Sequence, residues 1–225
     1  VKIYAKLESF NPGGSVKDRP ALYMIERAEE RGELTHDRII LEATSGNTGI
    51  GLAMVAAAKG YRLCLTLSES ASEERKKILK ALGAELRFTP AALGTDGAIE
   101  EAYSIMRENP DKYFLVDQFN NEDNLAAHYH GTAVEIWQQT GGKVTVFVAT
   151  LGTSGTAIGC ARRLKEYNPD IRIVGVEPYM GHKIQGLKNM KESYRPGIFD
   201  KSRLDEKVNI LDEDAYEMAR RLLRE

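Results

Sequence analysis

Apolar and polar positions alternate along this chain in two rhythms that keep replacing one another. Val1, Ile3 and Ala5 against Lys2, Tyr4 and Lys6 have period two, which predicts a strand over residues 1–6. Ala21, Leu22, Met24, Ile25 and Ala28 then keep helical spacing up to Gly32, with Ser15 as the expected N-cap and Pro20 early enough to be tolerated. Residues 39–42 predict a short apolar strand, followed by a glycine-rich turn at 43–49 and a small-residue helix over 50–59. Strands at 62–67, 84–89 and 113–116 alternate with helices at 75–82, capped by Ser72, and at 96–108. A helix over 122–139 is interrupted near His130 and Gly131. The most apolar strand, 144–150, leads through a second glycine-rich turn into a helix ending near Leu164; a strand at 171–176, an irregular basic stretch at 183–203 and a last strand and helix from Val208 follow. Such alternation predicts an α/β fold of two three-layer halves, each a twisted, mainly parallel sheet covered by helices, with a seam near Asn120.

Composition narrows the function classes. The 225 residues carry 31 basic and 33 acidic side chains, a formal net charge of −2, with the basic residues scattered. No footprint for nucleic acid or an anionic membrane results, so small molecules or proteins are the expected partners. No apolar run has membrane-spanning length and the N-terminus lacks a signal-peptide core, so a cytoplasmic protein is expected. Cys64 and Cys160 each lie within an apolar run and predict two buried reduced thiols; no metal-ligand spacing involves them or the four histidines, and no metal is expected.

Three stretches carry candidate chemistry. Lys17 follows Asn11, Pro12, Gly13, Gly14, Ser15 and Val16, where backbone turns meet a helix start and a reactive amine would be held in place; a solvated surface lysine is the alternative. Gly152, Thr153, Ser154, Gly155 and Thr156 join an apolar strand to a helix, where free N–H groups and the positive dipole end suit a phosphate. Neither a Walker lysine nor the dinucleotide spacing is present, and a tight turn that only needs glycine is the competing reading. Thr44, Ser45, Gly46, Asn47, Thr48 and Gly49 form a similar turn whose hydroxyls, amide and N–H groups suit a carboxylate or a ring hydroxyl, or serve as an elaborate N-cap. Gln118 and Asn120 close a parallel strand, where open α/β sheets place ligand contacts.

A nucleophilic lysine, a neutral phosphate cradle and a carboxylate cradle are together what a pyridoxal phosphate enzyme asks of its protein. Here the sequence resembles the cysteine synthase and cystathionine β-synthase family of pyridoxal 5'-phosphate (PLP) enzymes, of the tryptophan-synthase-β fold type (PLP fold type II). The matching stretches are KLESFNPGGSVKDR at 6–19, EATSGNTG at 42–49, ERKKILKALGAE at 74–85, QFN at 118–120, GTSGT at 152–156 and KIQG at 183–186, in family order. Residues 187–199, LKNMKESYRPGIF, are similar to the cysteine synthase B type.

The resemblance implies a cofactor cleft between an N-terminal domain at 10–121 and a C-terminal domain made of 1–9 and 122–225. It implies that Lys17 binds PLP covalently and moves the substrate's α-proton, and that Asn47 meets the cofactor's ring hydroxyl. Gly152, Thr153, Ser154, Gly155 and Thr156 would hold its phosphate. Thr44, Ser45, Gly46, Thr48 and Gln118 would bind the amino-acid carboxylate, and Gly186 would line the mouth of the site. Lys188 is the first candidate to meet an anionic substrate group such as the phosphate of O-phosphoserine, with a solvated basic loop as the alternative. In this family a serine or threonine near the C-terminus contacts the pyridine nitrogen, and its segment would follow Glu225. The implied reaction is β-replacement on O-acetylserine or O-phosphoserine with sulfide or another sulfur donor, giving L-cysteine; homodimers are usual in such families. Cystathionine β-synthase or a serine/threonine dehydratase on the same scaffold, and a cofactor-free binding protein, are the alternatives.

Overall fold

A computed structural model describes residues 2–225. The chain divides into two compact units, Val1–Asn124 and Leu125–Glu225. In the first, helices α1 (Asp18–Glu30), α2 (Asn47–Lys59), α3 (Glu73–Ala81) and α4 (Gly94–Glu108) alternate with strands β1 (Ile39–Ala43), β2 (Arg62–Ser68), β3 (Glu85–Thr89) and β4 (Tyr113–Leu115). The strands form a parallel sheet in the order β3-β2-β1-β4. Ile40, Leu63, Leu65 and Leu67 of the sheet bury against Met24, Ile25, Leu52, Ala53 and Leu79 of the first three helices. The opposite face meets α4, where the Thr66 hydroxyl donates to the Ala98 carbonyl at 2.7 Å. All five β1 residues are buried, as expected of a central parallel strand covered on both sides.

The second unit has a parallel sheet in the order β5-β6-β7, from β5 (Val146–Thr150), β6 (Arg172–Pro178) and β7 (Glu206–Ile210). Helix α5 (Glu122–Ala127) begins in the first unit and runs into a π turn, His128–Thr132, and then α6 (Ala133–Gln139). The π turn falls where the sequence predicts an interruption. Helix α7 (Gly155–Tyr167) packs Cys160, Ala161 and Leu164 against Ile171 and Ile173, whereas Val146 and Val148 lie exposed on the other side of β5. Helix α8 (Asp212–Arg224) ends the chain. Both cysteines are buried.

Two local expectations need correction. Residues 2–7 form no strand: Ile3 and Tyr4 are 90% and 73% exposed, and no described strand pairs with them, so the alternating pattern has no ladder to join. Val1 lies outside the described residues. Ser15 is not the N-cap of α1; Lys17 occupies that position without a side-chain cap, and the Ser15 hydroxyl instead accepts from the Lys17 N–H at 3.2 Å. Gly32, with φ +71°, follows the helix as the left-handed stop its position predicts.

Candidate active site

The backbone around Lys17 is held at several points. Asn11 accepts the Gly14 N–H at its carbonyl (2.8 Å) and donates its amide to the Ser15 carbonyl (3.0 Å). Asp18 accepts the Gly13 N–H at 2.6 Å, and Arg19 bonds Glu8 at 2.7 and 3.0 Å. Helix α2 approaches closely from the other side. A Cβ on Gly51 would meet the Ala21 Cβ at 3.0 Å and the Lys17 carbonyl at 3.1 Å, so the small-residue helix is what lets α2 press on the start of α1. The Lys17 amine makes no hydrogen bond or ion pair among the described residues. Its side chain is only partly open to solvent, and crowding by protein strips enough water to lower its pKa. That shift favours the neutral, nucleophilic form of the amine.

The 44–49 turn belongs in part to the helix. α2 starts at Asn47, three residues earlier than the apolar pattern suggests, so the N–H groups of Asn47 and Thr48 fall in a first helical turn without intrahelical acceptors. Thr44 Oγ1 accepts the Gly46 N–H at 3.1 Å, and Gly49 fits against Leu65 and Thr44, either of which a Cβ would meet at 3.2 Å. Asn47 is exposed. Thr48 is buried, and its hydroxyl donates to Gln118 Oε1 at 2.8 Å, which brings two of the predicted carboxylate contacts together.

Behind Gln118 stands a residue to which the motif reading gave no role. Glu42, fully enclosed near the C-terminal end of β1, accepts the Gln118 backbone N–H at Oε2 (3.3 Å) and its side-chain Nε2 at Oε1 (3.1 Å). Burial pushes its carboxyl up to about 8 against the two Gln118 donors, with the Asp117 charge adding to the rise. A single carboxylate inside an otherwise apolar buried strand was the available signal.

In the second unit the 152–156 turn joins β5 to α7. Ser154 is the N-cap in a left-handed conformation, φ +70°, and its buried hydroxyl has no partner. Thr153 Oγ1 accepts the Gly155 N–H at 3.5 Å. Thr156 Oγ1 lies 3.2 Å from His128 Nε2, and His128 Nδ1 lies 2.9 Å from Thr132 Oγ1. The π turn therefore aims a buried histidine at the glycine-rich turn. Gly152 meets Gly186, whose carbonyl would stand 2.4 Å from a Cβ there. Gly186 has φ +82°, and the Lys188 N–H returns to the Leu151 carbonyl at 2.9 Å. Lys188 is not a free cation: its ammonium bonds Glu192 at 3.1 Å, and Glu192 also accepts from the Asn189 N–H at 3.0 Å and faces His182 at 3.1 Å.

The family described as pyridoxal-phosphate dependent enzyme matches residues 1–225. The chain belongs to this family. It is 52% identical over 225 residues to a cysteine synthase of Aquifex aeolicus, covering all of this chain and 69% of that protein. A cysteine synthase B of Pseudomonas aeruginosa is 48% identical over 223 residues, 99% of this chain and 74% of the relative. Among solved structures, a cysteine synthase of Entamoeba histolytica superposes with a TM-score of 0.92 at 43% identity over 97% of this chain and 67% of that one. An O-ureido-L-serine synthase gives 0.91 at 38% over 98% and 72%.

The residues present fit the family's cofactor. The orphaned Ser154 hydroxyl, the first N–H groups of α7 and the cationless 152–156 turn match a phosphate held by neutral donors, and the unpaired, desolvated Lys17 amine matches a carbonyl-binding lysine.

Proposed function

We propose that the protein makes L-cysteine by PLP-dependent β-replacement on an activated serine, O-acetylserine or O-phosphoserine, with sulfide or another sulfur donor. The observation that carries this reading is the Lys17 amine, desolvated and unpaired on a locked backbone, in a chain of this family. Lys17 binds the cofactor, Asn47 meets its ring hydroxyl, and Gly152, Thr153, Ser154, Gly155 and Thr156 hold its phosphate. Thr44, Ser45, Gly46, Thr48 and Gln118 receive the substrate carboxylate. The Thr48 hydroxyl proton is already given to Gln118, so its backbone N–H is the donor it offers. Gly186 lines the entrance.

PLP, when bound, withdraws the electron pair left on the α-carbon. Lys17 Nζ, its neutral form favoured by desolvation, takes the α-proton and later returns it. Between those steps the Cβ–O bond breaks, acetate or phosphate leaves, and a Cβ–S bond forms. The carboxylate loop fixes the α-carbon within reach of Lys17 throughout. Lys188 faces the leaving group in the O-phosphoserine version of this reading, with its charge shared with Glu192. The enzyme works as a cytoplasmic homodimer.

The test is a visible spectrum of the protein with PLP, followed by a cysteine assay with O-acetylserine and sulfide. A cofactor band that needs Lys17, absent in Lys17→Ala, and cysteine formed in wild type alone are the expected results. A band and cysteine formation that survive in Lys17→Ala refute the assignment. Running O-phosphoserine beside O-acetylserine with Lys188→Ala then settles the leaving group; an unchanged preference removes Lys188 from the site.

A further inference from the structure

Gln118 is more tightly committed than an end-of-strand glutamine needs to be. Its backbone N–H goes to Glu42, its carbonyl accepts Asn124 Nδ2 at 2.7 Å, its side-chain Oε1 accepts the Thr48 hydroxyl and its Nε2 donates to Glu42. One N–H of the carboxamide is left uncommitted. A glutamine amide can sit either way round, and only the partners decide which end faces which group. Glu42 accepts at both oxygens, so the nitrogen end must face it and the oxygen end must face Thr48. By register Glu42 lies on the sheet face of Ile40 and Leu65, and it is 2% exposed. Burying a carboxyl there is costly, and packing alone would be better served by leucine.

We propose that Glu42 is a positioning residue for the substrate carboxylate: it clamps the Gln118 backbone and carboxamide so that the one spare N–H is offered as a donor beside the 44–48 turn. This rests on the proposed role of Gln118 as a carboxylate contact. Glu42 touches neither substrate nor cofactor in this scheme. Removing its acceptors lets the amide turn, so that an oxygen rather than an N–H meets the carboxylate.

The test uses the PLP-loaded enzyme and the variants Glu42→Gln, Gln118→Ala and both together. Glu42→Gln keeps the volume but leaves one acceptor oxygen for the two Gln118 donors. The expected result is a KM for O-acetyl-L-serine raised about tenfold, the size of one lost hydrogen bond to a charged group, with kcat within about twofold. Affinity for L-serine should fall while affinity for L-serine methyl ester, which lacks the carboxylate charge, stays as in wild type. The double variant should be no worse than Gln118→Ala, because the two residues act as one unit. Equal losses for acid and ester, or additive effects in the double variant, overturn the proposal. A Gln118→Ala enzyme that still prefers acid over ester as wild type does removes the carboxylate role of Gln118, and this proposal with it. If Glu42→Gln fails to load cofactor, Glu42→Leu, which removes acceptors and charge together, is compared with Gln118→Ala in the same way.

Discussion

Ser154 is where stability and cofactor binding pull in opposite directions. Its φ of +70° is a region that L-residues other than glycine occupy at a cost of about 1–2 kcal/mol, and its buried hydroxyl is unpaired, a further cost of about 1–3 kcal/mol. Ser154→Gly removes both, less the roughly 0.5–1 kcal/mol of extra chain entropy that glycine brings, so the cofactor-free protein should gain about 1–4.5 kcal/mol. Ser154→Ala keeps the backbone conformation and removes only the orphaned hydroxyl, so it should gain less than Ser154→Gly. Bound phosphate reverses the sign, because the hydroxyl then makes a hydrogen bond to a charged group worth about 1.5–3 kcal/mol, and both variants should bind PLP about 10- to 100-fold more weakly. Urea denaturation of the cofactor-free protein reads the first quantity. Equilibrium dialysis of PLP, with Lys17→Ala as the shared background so that only non-covalent contacts are compared, reads the second. Unchanged PLP affinity in both variants refutes the phosphate role of this turn. Equal stability of all three proteins refutes the strain argument.

Two further outcomes follow from buried charges. Glu42 has a folded pKa of about 8, above the ordinary carboxyl value of 4.5, so the folded state holds a proton that the unfolded state has released between those two pH values. Its contribution is full below about pH 4.5 and is lost as pH rises through about 8, and Asp117 across the strand end, itself hydrogen-bonded by Tyr103 at 2.9 Å, adds to that loss. Denaturation of cofactor-free wild type at pH 5, 7 and 9 should therefore show a fall that Glu42→Gln lacks; parallel pH profiles would refute the burial argument. In the second unit, Glu177 is buried on β6 and accepts from Lys207, from Asn209 and from the Met190 N–H at 2.9 Å. Lys207→Met strands that carboxylate and should cost about 3–5 kcal/mol, whereas Lys207→Met with Glu177→Leu should recover part of it; a single variant within about 1 kcal/mol of wild type shows the pair is solvated instead.

The fold was legible wherever a segment's pattern and its tertiary environment asked for the same thing. Strands β1, β2 and β4 are short, mostly buried runs and β3 is an exposed edge strand, and residues 39–42, 62–67, 84–89 and 113–116 mark the four within about one residue. The helical stops at Gly32, Gly60 and Gly83 all carry positive φ, which is why glycine ends those helices. Residues 2–6 form no strand for the converse reason. Period-two alternation states only that a segment could be half-buried in a sheet, and a strand exists only where another strand completes its hydrogen bonds. The early start of α2 is similar in kind: the glycine-rich pattern predicts a turn over 43–49, yet Asn47, Thr48 and Gly49 are helical, their polarity serving an N-terminal turn.

At the site the glycine-rich turns announce themselves locally, because close approach and left-handed backbone restrict which residues can stand there. The groups that aim those turns do not. Glu42 lies 76 residues from Gln118, His128 lies 28 from Thr156, and Gly152 is fitted to a carbonyl beyond β6. None of these pairs has a spacing that a motif could hold, since each depends on two elements docking in one register. A motif therefore names the groups that face a ligand, while the groups that decide which way they face sit one layer behind, recognisable by an anomaly of burial. Glu42 in an apolar strand, a histidine inside a π turn and the orphaned Ser154 hydroxyl are such anomalies, and each involves polar atoms that a protein without a ligand to bind could replace with carbon and be more stable.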